Sequence, residues 1–115
     1  MHELSLAVAL VEQAEAVLER EGAPRALALT VRIGDWSGVD PDAFAFAFPV
    51  AAEGSRLAGA RLEIEREPLR VRCRACGAVT EPPDAIPCCA ACGAADVEPQ
   101  AGQAFDLRAL EVAAC

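Results

Sequence analysis

Cys73-Arg74-Ala75-Cys76-Gly77 and Cys89-Ala90-Ala91-Cys92-Gly93 repeat one pattern, C-x-x-C-G, with residues 77 to 88 between the inner cysteines. Two residues between cysteines let both sulfurs reach one cation, and the following glycine lets the backbone turn tightly beneath it. Two such knuckles form a tetrahedral four-sulfur cage from Cys73, Cys76, Cys89 and Cys92. No aromatic residue lies between Cys73 and Cys92 to shield a redox-active iron, so the spacing favours zinc. Four protein ligands leave no open position for water or substrate, and the expected role of the cation is structural.

The surrounding sequence agrees. Residues 70 to 99 hold five of the six cysteines, four of the eight prolines and few large apolar side chains. Such a stretch cannot bury enough surface to fold alone, so a bound metal must supply the missing free energy. Cys88 is a spare thiol beside Cys89, since only Cys89 keeps the C-x-x-C-G spacing, and Cys115 is expected to be a bystander.

Upstream, residues 3 to 21 read as an amphipathic helix. Leu4, Ala7, Leu10, Val11, Ala14, Val17 and Leu18 recur every three or four positions, opposite Glu12, Glu15 and Glu19. Gly22 and Pro24 end it. From residue 25 to 34, Leu27, Leu29, Val31 and Ile33 alternate with smaller or polar residues, the signature of a strand with one buried face. Asp40-Pro41 supplies an N-cap and first-turn proline for a second helix to about Ala52, with Phe44 and Phe48 on one face. Pro49 predicts a kink or break near residues 45 to 49. Trp36 and the phenylalanines from Phe44 to Phe48 read as core or hinge residues. A second strand over residues 60 to 66 turns Leu62 and Ile64 inward. After Gly102 the alternation resumes at Phe105 and Leu107 and shifts phase to Leu110 and Val112, which predicts a bulge near 109. That last strand is expected to return to the first sheet, leaving the cysteine segment as an insertion.

Composition narrows the function. The 115 residues are 54% hydrophobic and 24% charged, which suits a globular chain. Eighteen acidic residues outnumber ten basic ones, all arginine, for a net charge of −8, and no basic residue lies between Ala75 and Leu107. Nucleic-acid binding needs a basic footprint, so it starts with a handicap. The longest apolar stretch, residues 44 to 52, is too short to span a bilayer, and no basic residue precedes Arg20 to make a secretory signal. The reading is a soluble, cytoplasmic protein.

The chain's one histidine is His2. The Met1 amine, the His2 backbone nitrogen and imidazole Nδ1 can close adjacent five- and six-membered chelate rings, with Glu3 completing a plane. Square-planar nitrogen and oxygen donors suit Ni(II) or Cu(II).

These segments, taken in order, resemble a known family. Met1-His2-Glu3-Leu4-Ser5-Leu6, Val31-Arg32-Ile33-Gly34, Ser37-Gly38-Val39-Asp40-Pro41, Phe46-Ala47-Phe48, Leu62-Glu63-Ile64-Glu65 and the paired knuckles closely resemble the HypA/HybF nickel metallochaperones of [NiFe]-hydrogenase maturation. The resemblance implies an α+β protein, a three-stranded sheet flanked by two helices, with an inserted zinc ribbon. It divides the chain into a nickel-binding domain, residues 1–68 and 101–115, and a zinc ribbon, residues 69–100. It implies nickel at Met1, His2 and Glu3 with Asp40 close by, and zinc at Cys73, Cys76, Cys89 and Cys92. It also implies a HypB-type GTPase and the hydrogenase large-subunit precursor as partners, with urease maturation proteins as further candidates, and a role in metal transfer.

The rival from another class is a zinc-ribbon nucleic-acid or transcription accessory module, which would need a basic, aromatic-bearing face that residues 75 to 104 lack. An enzyme is disfavoured: there is no second histidine, no phosphate-cradling glycine loop and no serine-nucleophile elbow.

Overall fold

The structure, a computed structural model, describes residues 2–113. Helix α1 (His2–Glu21) buries Ala7, Leu10, Val11, Ala14 and Leu18, the stripe its periodicity predicts. Gly22 ends it in the left-handed region at φ +67°. There the Gly22 amide donates to the Glu19 carbonyl at 3.2 Å and the Ala23 amide to that of Leu18 at 2.9 Å, a Schellman cap.

Strand β1 (Ala26–Gly34) follows, and its burial departs from strict alternation. Leu29, Val31 and Ile33 are buried as expected, but Ala26 and Ala28 are buried too and Leu27 is exposed. Ala28 and Leu29 are buried in succession, so both faces of the strand are covered there, and the leucine spacing overstated the inward set by one residue.

Helix α2 (Pro41–Ala52) is capped by Asp40, whose carboxylate accepts the Asp42 amide at 2.9 Å and the Ala43 amide at 3.3 Å. Phe44, Ala47, Phe48 and Ala52 are buried, and each large ring taken from water contributes about 1.5–3 kcal/mol. The break expected at residues 45 to 49 is absent; the helix runs through Pro49. Pro49 and Ala45 both lie on the exposed side, so the carbonyl that loses its helical donor faces water. Of the residues read as core or hinge, Phe46 is 82% exposed and Trp36 40%, so neither belongs to the core.

Strand β2 (Arg61–Glu67) half-buries Leu62 and Ile64 between exposed charged residues, as read. The chain then forms β3 (Arg70–Cys73), β4 (Val79–Thr80), a short 3-10 turn (Pro83–Ala85) and β5 (Val97–Ala101), before β6 (Phe105–Val112). The larger sheet has the order β2-β1-β6, so the last strand does return beside the first. Along β6 Arg108 and Ala109 are exposed and Leu110 is half-buried, but Val112 is exposed, so the inward turn expected of it is not met. Arg32 on β1 makes a two-pronged ion pair with Asp106 on β6, at 3.2 and 3.3 Å. The smaller sheet, β4-β3-β5, is antiparallel, with Arg72 opposite both Val79 and Glu98.

Two compact units result. One comprises the chain up to Arg32, Val39–Glu65 and the chain from Asp106 onward; the other comprises Ile33–Gly38 and Arg66–Phe105. The first is an α+β layer in which α1 packs on α2 beside the larger sheet. In the second, the Ile33–Gly38 segment is laced to the residues around Gly102. The Trp36 amide donates to the Gly102 carbonyl at 2.7 Å, the Gly34 amide to that of Ala104 at 2.7 Å, and the Asp35 amide to that of Glu67 at 2.9 Å. The Glu67 carboxylate accepts the amides of Gly102 at 2.7 Å and Ala104 at 3.2 Å. No helix among the described residues is long and apolar enough to cross a membrane.

Candidate metal centres

The two knuckles are built alike. In the first, the Cys73 amide donates to the Ala78 carbonyl and the Gly77 amide to the Cys73 carbonyl, both at 2.9 Å. In the second, Cys89 donates to Ala94 at 2.9 Å and Gly93 to Cys89 at 2.8 Å. Gly77 and Gly93 hold φ of +79° and +81°, conformations that a side chain would strain. The Ala90 amide donates to the Thr80 hydroxyl at 3.1 Å, anchoring the second knuckle to β4. On the other side Arg74 pairs with Asp96 at 2.9 Å and Glu98 at 3.4 Å, fixing the first knuckle beside β5.

This framework brings the sulfurs of Cys73, Cys76, Cys89 and Cys92 within 4.8 Å of one another. Across the knuckles, Cys73 Sγ lies 3.6 Å from Cys92 Sγ, and Cys76 Sγ 3.7 Å from Cys89 Sγ. Four sulfurs bound at ~2.3 Å to a tetrahedral centre stand about 3.8 Å apart. The donor set and its spacing therefore fit zinc. Cys88, half-buried, lies outside this group, and Cys115 lies outside the described residues.

The metal-free cluster divides its protons unevenly. Cys73 and Cys89 are buried, and each accepts an amide hydrogen bond, from Cys76 at 3.3 Å and from Cys92 at 3.4 Å. The Cys76 amide holds the Cys73 thiol below its ordinary value, and the Cys92 amide brings Cys89 down to about 6. The exposed pair behaves oppositely. The Ala94 amide favours the Cys92 thiolate, but the three neighbouring sulfurs outweigh it and push the thiol up to about 12. At Cys76 the Ala78 amide favours the thiolate, and the sulfurs of Cys89 and Cys73 overcome it, so its pKa is also raised. Four thiolates cannot gather here without a cation to neutralise them.

The second candidate centre is the start of α1. His2 is exposed, with its Nδ1 3.6 Å from the Glu3 carboxylate. That carboxylate also accepts the Asp40 amide at 3.4 Å. The Glu3 amide, and after it the Asp40 amide, hold the Glu3 carboxyl below its usual range. Asp40 thus meets the N-terminal turn through its backbone, while its carboxylate caps α2. Met1, whose amine the sequence offers as a ligand, lies outside the described residues. The amides of His2 and Glu3 belong to the first helical turn, where no preceding carbonyl can accept them. Coordination through those nitrogens would break no helical hydrogen bond.

Sequence reasoning missed two supports. Glu67 continues the run of Glu63 and Glu65, and nothing in that run marks it as the residue that clasps Gly102. Thr80 carries no signal at all. The Glu3–Asp40 contact is half legible: the resemblance places Asp40 close to the N-terminus, and the sequence does not indicate that its backbone amide makes the contact.

A family model described as "Hydrogenase/urease nickel incorporation, metallochaperone, hypA" matches residues 1–112. A curated hydrogenase maturation factor HypA from Roseiflexus sp. is 47% identical over 112 residues, covering 96% of this chain and 91% of its own. Its counterpart from Synechococcus sp. is 40% identical, covering 97% of this chain and 99% of its own. Among solved structures, that of the Ni metallochaperone HypA from Helicobacter pylori superposes with a TM-score of 0.67 at 27% identity, covering 96% of both chains. A further HypA solution structure gives a TM-score of 0.71 at 28% identity over 98% of this chain and 97% of that one. The chain belongs to the HypA family, the non-catalytic nickel metallochaperones of hydrogenase and urease maturation.

Proposed function

We propose that this chain binds one Ni(II) at its N-terminus and hands it on for [NiFe]-hydrogenase maturation, with a zinc ion held in the ribbon. The nickel donors are the Met1 amine, the His2 amide and imidazole, and Glu3. The zinc donors are Cys73, Cys76, Cys89 and Cys92, with residues 1–68 and 101–115 as the nickel-binding domain and 69–100 as the ribbon. The observation that carries the nickel assignment is the Glu3 carboxylate, which gathers the His2 ring and the Asp40 amide at the start of α1.

The geometry suits delivery. Ligands at a helix start leave without unwinding the helix, and the open side of His2 admits an acceptor. Affinity alone cannot select nickel, since copper generally outbinds it at such donors. Selection must come from the partners. A maturation role implies partners in that machinery, and the reading assigns a HypB-type GTPase and the hydrogenase large-subunit precursor, with urease maturation proteins as further clients. The cytoplasm is the fitting compartment, because its reducing conditions keep thiols free. Zinc would supply cross-linking of the two knuckles and neutralise their thiolates.

Calorimetric Ni(II) titration of the zinc-loaded protein tests this, using an authentic N-terminus, a version extended by Gly before Met1, and His2→Ala. The expected result is one tight site in the first, lost in the other two, with unchanged circular dichroism. Equal nickel affinity in all three would sink the assignment.

A further inference from the structure

Helix α2 is apolar on two sides, and only one is used by the fold. Opposite Phe44, Ala47 and Phe48, the residues Asp42, Phe46, Pro49, Val50 and Glu53 are all exposed. At 100° per residue they fall in one stripe about 16 Å long, with an apolar centre and a carboxylate at each end. Phe46 is 82% exposed and Val50 57%, the two most exposed large apolar side chains among the described residues. A helix of this hydrophobicity is ordinarily covered on both sides.

Charge and position say what covers it. Neither Asp42 nor Glu53 has a cationic partner among the described residues. Beside it, α1 carries Glu3, Glu12, Glu15, Glu19 and Glu21 against the single Arg20, and of these Glu15 and Glu19 are offset by ion pairs with Arg56. The apolar stripe is therefore set in an acidic helical layer, which calls for an apolar surface flanked by Lys or Arg. Its N-terminal end begins two residues beyond Asp40, whose amide holds Glu3 at the nickel terminus. A protein seated there would lie next to the cargo.

We propose that this outer stripe of α2 docks a basic, apolar-faced helix of the polypeptide with which nickel is exchanged. The proposal rests on the nickel reading above and adds to it the surface that aligns donor and acceptor. Aromatic anchors such as Phe46 commonly carry much of an interface's energy, and acidic rims speed encounter with a basic partner.

The test measures binding of the zinc-loaded chain to purified GTPase and to large-subunit precursor, for wild type, Phe46→Ala/Val50→Ala and Asp42→Lys/Glu53→Lys. All four positions are exposed, so folding is preserved and circular dichroism verifies it. The first variant should bind one of the two proteins at least about tenfold more weakly, with nickel affinity unchanged. The second should also bind more weakly and lose salt dependence. Wild-type binding by both variants would overturn the stripe while leaving the nickel site untouched. A wild-type dimer in sedimentation that Phe46→Ala/Val50→Ala abolishes would assign the stripe to a second copy and overturn it as well. If wild type bound neither protein, the partner assignment and this proposal would fall together, and the nickel titration would still decide the metal reading.

Discussion

Gly34 and Gly102 meet backbone against backbone: a Cβ placed on Gly34 would stand 2.1 Å from the Gly102 carbonyl oxygen. Gly102 has φ +115°, and a Cβ there would come within 2.7 Å of the Leu69 Cα. Backbone cannot yield as a side-chain tip can. Gly34→Ala should therefore cost about 3 kcal/mol of stability, read as a lowered urea midpoint at constant m-value. A change under about 0.5 kcal/mol, the size usual for a surface substitution, would show that the two segments separate easily.

Zinc loading should expel protons. In the metal-free cluster Cys89 sits at about 6 and is largely thiolate at neutral pH, while the Cys76 amide lowers Cys73 from its ordinary value. Cys92, pushed up to about 12, and the raised Cys76 remain protonated. Binding at pH 7 should release about two to three protons per zinc, and affinity should fall as pH falls. Calorimetry in two buffers of different ionisation enthalpy measures the number directly. Metal analysis of Cys88→Ser and Cys92→Ser supplies the control: the first keeps its zinc and the second loses it.

Asp40 offers a clean separation of roles. Its carboxylate caps α2 through the amides of Asp42 and Ala43, whereas its own amide reaches Glu3. Asp40→Ala removes only the first. Stability should drop by about 1 kcal/mol, and nickel affinity should stay within about twofold, since 1.4 kcal/mol is tenfold. A tenfold loss of nickel affinity would instead give the carboxylate a place in the metal's coordination.

The loop between the knuckles stores strain. Asp84 and Ala85 adopt φ of 56° and 54°, a region in which a Cβ is penalised. Ala85→Gly removes that penalty and adds freedom to the unfolded chain, for a net gain of about 0.5 kcal/mol. A small rise in melting temperature of the zinc-loaded protein is the expected outcome; a fall would mean that the Ala85 methyl contributes packing.

Much of this was legible in the sequence because it depends on local chemistry. The helix α1 stripe, its Gly22 stop, the Asp40 cap and the C-x-x-C-G turns each follow from residues a few positions apart. Spacing also singled out Cys89 over Cys88. What escaped depended on the environment of a residue. Pro49 is tolerated because Ala45 beside it faces water, and pattern alone could not say which side of α2 would be covered. Phe46 looked like its neighbours Phe44 and Phe48, but helical spacing turns it the other way. Glu67 is a long-range clasp, and a single alternating glutamate does not announce its partner.

The sulfur spacing also sets how the ribbon fails. Cys73 Sγ stands 3.6 Å from Cys92 Sγ and Cys76 Sγ 3.7 Å from Cys89 Sγ, each pair spanning the two knuckles. Once the cation is gone, an oxidant that removes two electrons and two protons from such a pair joins the knuckles covalently. Each sulfur pair needs only to draw in to the ~2.05 Å of a disulfide. Peptide mapping of chelated, peroxide-treated protein should find Cys73–Cys92 and Cys76–Cys89 links, and no zinc should rebind until a reductant is added. Occupancy by the cation would thus guard this lobe chemically, and a starved cell under oxidative stress would accumulate a sealed, metal-refractory form.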